Sequence, residues 1–162
     1  MMQKNAWSHL SSVQVGRYAE YLVKMEFTLH GLDVYSAEVD DKGIDFVVRV
    51  DRKAQGVEHY DVQVKSSRNL NYIFFPKSKF KPRKNLLAAV VLFLHDQVPL
   101  FYLIPSMAWH EPDTGNLFAN RMYEGKKSAP EWGLNLSERK LSLLAPYAFE
   151  NMIERLRENR IG

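Results

Sequence analysis

Asp45, Gln63 and Lys65 are the residues whose types and spacing suit chemistry. A carboxylate and an amide oxygen are the hard donors that a small divalent cation takes. An ammonium beside them would offset negative charge building on a bound anion. Whether the three meet depends on the segments that carry them. Residues 43–48 (Gly-Ile-Asp-Phe-Val-Val) and 60–65 (Tyr-Asp-Val-Gln-Val-Lys) alternate in polarity and are rich in β-branched and aromatic types, so both read as strands. Residues 51–58, with Gly56, form the polar loop between them. Successive side chains of a strand point to opposite faces. Ile44, Phe46, Val48 and Val50 therefore share one face, and Asp45, Val47 and Arg49 the other. In the second strand Tyr60, Val62 and Val64 are the apolar set, opposite Asp61, Gln63 and Lys65. A hairpin burying both apolar sets in one core gathers Asp45, Gln63 and Lys65 on a common face. The simpler alternative is an Asp45–Lys65 cross-strand pair on a solvated sheet, worth well under ~1 kcal/mol.

The charge distribution holds the second signal. Lys77, Lys79, Lys81, Arg83 and Lys84 fall in one short stretch that contains no acid. Without these five, the 22 basic residues become 17 against 19 acidic, so the net charge of +3 comes from one place. Evenly spaced cations with Phe80, and with Tyr72, Phe74 and Phe75 nearby, suit a phosphate backbone with base stacking. The competing reading is a solvated loop anchored by Phe80.

Around these residues the chain reads as a helix, three strands, an uncertain connection, further strands and a closing helix. Ser11 and Gln14 form a capping-box pattern, Val15, Ala19, Leu22, Val23, Met25 and Leu29 recur at helical spacing, and Gly31 stops the helix. Residues 32–37 read as a short strand and 38–42 as an acidic turn. Residues 72–75 read as another strand, while Pro82 argues against a long helix over 77–84. Residues 86–94 are a buried element, paired antiparallel with 99–105 through a turn at 95–97. Residues 106–130 read as a loop, 132–136 as an edge strand, and 145–160 as a helix with Phe149, Ile153 and Leu156 inside. The order implies an α/β or α+β fold, one domain over residues 1–162 around a mixed sheet flanked by helices.

Gly16-x-x-Ala19-Glu20 on a first helix, followed by Gly43-Ile44-Asp45 and Gln63-Val64-Lys65 on consecutive strands, resembles the PD-(D/E)XK nuclease superfamily. The glutamine form of the last motif is similar to that of Mrr-like restriction nucleases. The helix-first order is similar to archaeal Holliday-junction resolvases and intron-encoded endonucleases. The resemblance covers the first 65 residues well, the next ~40 loosely, and nothing after Ser106. It implies a restriction-endonuclease-like fold, hydrolysis of DNA phosphodiesters, and Mg²⁺ or Mn²⁺ as cofactor. It further implies that Asp45 is the main metal ligand, with Gln63, the Val64 carbonyl and Glu20 as further ligands. Lys65 would orient the attacking water, and Lys77, Lys79, Lys81, Arg83 and Lys84 would bind nucleic acid. Ile44 stands where the family has proline, and Gln63 where it usually has a second acid, which removes one negative charge. A catalytically inactive nucleic-acid-binding or interaction module on the same fold is therefore the alternative, and a structural subunit without nucleic acid the third.

Other classes find little support. No cysteine is present, which excludes disulfides and thiolate metal sites and makes a cytoplasmic location the expectation. His9, His30, His59, His95 and His110 show no zinc spacing, and Ser106 lacks a nucleophile-elbow setting. The longest apolar run, residues 86–94, is far short of the roughly 20 residues that cross a bilayer. Trp7, Trp109 and Trp132 read as packing residues. Glu38, Asp40 and Asp41 are explained by an acidic turn before any metal role. A nuclease cutting both strands needs two sites, so a homodimer is expected.

Overall fold

A computed structural model describes residues 3–38, 42–111 and 115–161. Helix α1 (Ser12–Leu29) starts at the anticipated capping box: Ser11 Oγ accepts from the Gln14 N–H, and Gln14 Oε1 accepts from the Ser11 N–H. It buries Val15, Ala19, Leu22, Val23 and Phe27. Met25 and Leu29, expected on the core stripe, are 64% and 79% exposed. Phe27 takes the inward position after Val23, where the i, i+4 step of the helix puts it.

The main sheet has the order β1 (Asp33–Ser36), β2 (Phe46–Asp51), β3 (Val57–Ser67), β5 (Leu86–Leu92), β6 (Leu100–Pro105). All neighbours are antiparallel except β3 and β5, which are parallel. Parallel neighbours need a long crossover, usually a helix. Here residues 68–85 make the crossover with strand β4 (Tyr72–Pro76) and the basic stretch, which carries both over the sheet. The anticipated 43–48 strand starts at Phe46, and the second strand extends past Lys65 to Ser67.

Both faces of the sheet centre are covered. On one, α1 and α3 (Phe149–Arg157) pack on Phe46, Val48, Val50, Tyr60, Val62, Leu87, Ala89 and Val91. On the other, Leu86, Ala88, Val90 and Leu92 meet a second sheet of order β4, β8 (Glu131–Asn135), β7 (Phe118–Arg121). This double cover explains why every residue of β5 is buried. The expected mixed sheet flanked by helices is present, and a second, smaller sheet packs on one of its faces. The strand expected at an edge over residues 132–136 is β8, Glu131–Asn135, in the middle of the smaller sheet. The expected 106–130 loop contains a 3₁₀ turn, Ser106–His110, and all of β7. The closing helix is shorter than residues 145–160, because Ala145–Tyr147 form a 3₁₀ turn before it; a short helix, α2 (Leu141–Leu144), leads into that turn.

Phe80 is fully buried, and its ring packs 4.6 Å from Phe75 and 5.2 Å from Trp109. It anchors the basic stretch onto the small sheet. Phe80→Ala should therefore lower stability by about 3–5 kcal/mol in urea unfolding. Met25→Ala, on the exposed side of α1, should stay within about 0.5 kcal/mol of wild type.

Candidate active site

Strand β3 outruns its partner β2. Pairing between them ends at Phe46 and Val62, while β3 continues alongside β5 to Ser67. Asp45 sits at this end. Its N–H donates to the Val62 carbonyl at 2.9 Å, and its Oδ2 accepts from the Val64 N–H at 2.6 Å. A side chain thus takes the amide that the missing strand would have taken. The short charge-assisted bond pins the carboxylate across Gln63, next to Lys65.

Gln63 and Lys65 lie on the face that the small sheet covers, opposite Ala88 and Val90 in register. Gln63 is 6% exposed, and its Oε1 is buried without a hydrogen-bond donor. A buried acceptor left unpaired costs about 1–3 kcal/mol, so it marks a place where a donor or cation belongs. Lys65 is half-buried, with its Nζ 5.8 Å from the ring centres of both Phe74 and Phe75. Burial lowers its pKa, the Asp45 carboxylate works against that, and Lys79 adds to the lowering.

The expected Asp45–Lys65 proximity is accordingly present, but on a covered face and not on a solvated one. Glu20 lies on α1 with Arg17 Nη1 at 2.9 Å from its Oε2. One turn later Lys24 donates to Ser36 Oγ at 2.9 Å and lies 5.5 Å from the Phe46 ring. The Glu20–Lys24 side of the helix therefore runs towards the start of β2. Among the described residues no three Asp, Glu or His side chains converge as a metal-binding group. Asp40 and Asp41 lie outside the described residues, and Glu38 is exposed.

The basic stretch divides by environment. Lys79 and Lys81, with Arg83, Lys42, Ile44 and Ser78, line a cleft of about 330 Å³. It sits beside Asp45 because Gly43, at φ +75°, lets the chain pass so close that an added Cβ would lie 2.9 Å from Lys79 Cβ. Arg83 pairs with Asp61, and its backbone N–H and carbonyl both bond Ser106 Oγ, at 2.9 and 2.7 Å. Lys77 instead bonds Asn120 and lies 4.1 Å from the Trp132 ring centre, while Lys84 is exposed outside the cleft lining. Lys42 was missed in the sequence, where it read as the end of an acidic turn. Its place directly before Gly43 was the available signal.

The mixed five-stranded sheet, with α1 ahead of its first strand and helices packed on one face, is a restriction-endonuclease-like fold. The bacterial homing endonuclease I-Ssp6803I has this fold too: it superposes with a TM-score of 0.54 at 17% identity, over 92% of this chain and 95% of that one. The Holliday-junction resolvase Hjc of Archaeoglobus fulgidus aligns with a TM-score of 0.46 and 13% identity, over 79% of this chain and 88% of that one. No protein-family model matches the chain, and no curated protein matches it in sequence.

The donors present suit Mg²⁺ or Mn²⁺. These ions take oxygen ligands and are commonly held by one or two carboxylates with water and substrate completing the shell. Asp45 and the unpaired Gln63 Oε1 are such oxygens, and β3 carries both Gln63 and the Val64 carbonyl.

The Asp45–Val64 bond predicts a split between two variants. Asp45→Ala leaves an amide unpaired and should cost about 1–3 kcal/mol in denaturant unfolding, whereas Asp45→Asn, which keeps an acceptor, should cost far less. Lys65 predicts the reverse. Its pKa is depressed in the fold, so its charge opposes folding at neutral pH. Lys65→Met should raise the urea midpoint at pH 7. The gap to wild type should narrow as pH climbs through the depressed pKa towards the ordinary 10.5.

Proposed function

We propose that the chain is a divalent-metal-dependent endonuclease that hydrolyses DNA phosphodiester bonds. The observation that carries this reading is the buried, donorless Gln63 Oε1 on the same strand as Lys65, with the Asp45 carboxylate clamped across it. Asp45, Gln63 Oε1 and the Val64 carbonyl would hold Mg²⁺ or Mn²⁺, with Glu20 reaching from α1 as an outer partner. When bound, such an ion polarises a phosphoryl oxygen and acidifies a water. Lys65 orients the attacking water and places its ammonium against the charge that gathers on the transferring phosphate. Its half-buried position strengthens that interaction, because the local dielectric is low. Lys42, Lys79 and Lys81 in the neighbouring cleft hold phosphates flanking the scissile one.

The fold shared with a homing endonuclease supports the nuclease class. The shared main sheet between both apolar layers supports reading residues 1–162 as one domain. Two copies acting as a homodimer would supply one site per DNA strand. No helix among the described residues is long and apolar enough to cross a membrane.

A second reading keeps DNA binding without cleavage. It is favoured by the neutral Gln63 and by the turn of Glu20 to Arg17, which leave Asp45 with little anionic company. Cleavage assays separate the two. Duplex, branched and single-stranded DNA are incubated with Mg²⁺, Mn²⁺ or EDTA and wild type, Asp45→Asn or Lys65→Met. The enzyme reading expects metal-dependent cleavage that falls roughly 100-fold or more in both variants. Cleavage that survives both substitutions sinks it. Absence of cleavage, with salt-dependent binding lost in a Lys42/Lys79/Lys81→Ala variant, establishes the binding module instead.

A further inference from the structure

The outer face of the small sheet presents aromatic surface next to the candidate site. Phe74 is 51% exposed although its neighbours Ile73 and Phe75 are buried, because alternate residues of β4 face outward. Its ring is the same distance from the Lys65 ammonium as that of buried Phe75, so Phe74 borders the lysine that also feels Asp45 and Lys79.

The face is flat beyond Phe74 for a definite reason. Phe74 is opposite Gly133 in β8, and Gly133 is opposite Ala119 in β7, so no large side chain rises there. The Tyr72 ring occupies the space instead: a Cβ on Gly133 would lie 2.1 Å from the Tyr72 hydroxyl. The Arg121 guanidinium covers that ring at 4.1 Å from its centre, and it bonds Tyr123 Oη at 3.3 Å. Glu131, an acid on this face, lies against the Tyr72 hydroxyl with its Oε2 buried and no well-formed hydrogen bond. Burial and that carboxylate both raise the phenol pKa, so Tyr72 remains neutral. Arg121 stands opposite the partly buried Glu131 in register, and its guanidinium is the group laid over the exposed side of the Tyr72 ring.

We propose that this face is a stacking platform for unpaired bases of the DNA substrate, with Phe74 receiving the base beside the scissile phosphate and the Tyr72–Arg121 pair receiving the next nucleotide. Bases inside a duplex hide their faces from such a platform, whereas an unpaired base offers a π-face of any sequence. Arg121 adds a cation for the intervening phosphate and a planar surface for stacking. Charge complementarity points the same way, because Lys65 and the Lys42, Lys79 and Lys81 cleft continue the cationic surface from Arg121 past Phe74. The substrate class is thus DNA carrying a single-stranded arm at the cut, ahead of uninterrupted duplex. The inference rests on the DNA reading of the neighbouring cleft.

The test uses the full chain with Asp45→Asn and no divalent metal, so that binding is read without cleavage. Probes are a forked DNA with 5-iododeoxyuridine in the single-stranded arm and a blunt duplex of matched length. The platform expects photocrosslinks to Phe74 or Tyr72. It also expects about ten-fold weaker fork binding in Phe74→Leu and Arg121→Gln, recovery in Phe74→Trp, and unchanged duplex binding. Crosslinks elsewhere, or equal fork affinity in wild type and both variants, overturn it. Metal-dependent duplex cleavage that persists while fork binding ignores Phe74 and Arg121 keeps the nuclease and removes the platform. A chain that never cleaves but crosslinks through Phe74 keeps the platform and removes the nuclease.

Discussion

The bond from the Val64 amide to the Asp45 carboxylate is the constraint on which the site depends. β3 is longer than its antiparallel partner, so its edge would expose an amide just where the sheet is covered on both faces. An unpaired backbone donor in such a place is costly, and a carboxylate at the end of β2 removes the cost. The same bond sets the orientation of the carboxylate. Gln63 and Lys65, flanking Val64 in the strand, then face the opposite side of the ladder from Val64 together. The carboxylate proposed as the main cation ligand is also the one that completes the sheet.

Burial then shapes the electrostatics. A lysine on a solvated face would keep its ordinary pKa and contribute little. Here the small sheet and the two phenylalanines remove water from Lys65, and Asp45 only partly compensates. Gln63 is worse placed still, with its oxygen unanswered. Such local costs are typical of sites arranged for a ligand and not for the fold's own stability. The neutral amide leaves the centre one negative charge short of a two-acid site.

Much of this was legible in the residues. The capping box, the inward Val15–Ala19–Leu22–Val23 stripe, the parity of the two central strands and the 86–94 and 99–105 pair rest on local chemistry and short periods. Met25 and Leu29 misled because hydrophobicity at helical spacing does not say whether another layer covers that side. The small sheet was hidden for a related reason: β7 is only Phe-Ala-Asn-Arg, and its pairing with β8 across the 122–130 loop gives no repeating signal. The basic stretch was visible as charge, yet its division among Trp132, Asp61 and the cleft depends on which partners the crossover brings near.

The sequence by itself determined that Asp45, Gln63 and Lys65 share a face and that a local cationic stretch follows them, because strand parity and charge are properties of neighbouring residues. Only the tertiary structure decided that this face is covered, that Asp45 closes the sheet at Val64, and that Gly43 admits Lys79 to its side. Those outcomes come from non-local packing: the length mismatch of two strands, the crossover between parallel neighbours, and a second layer whose own sequence carries no sign of where it will land.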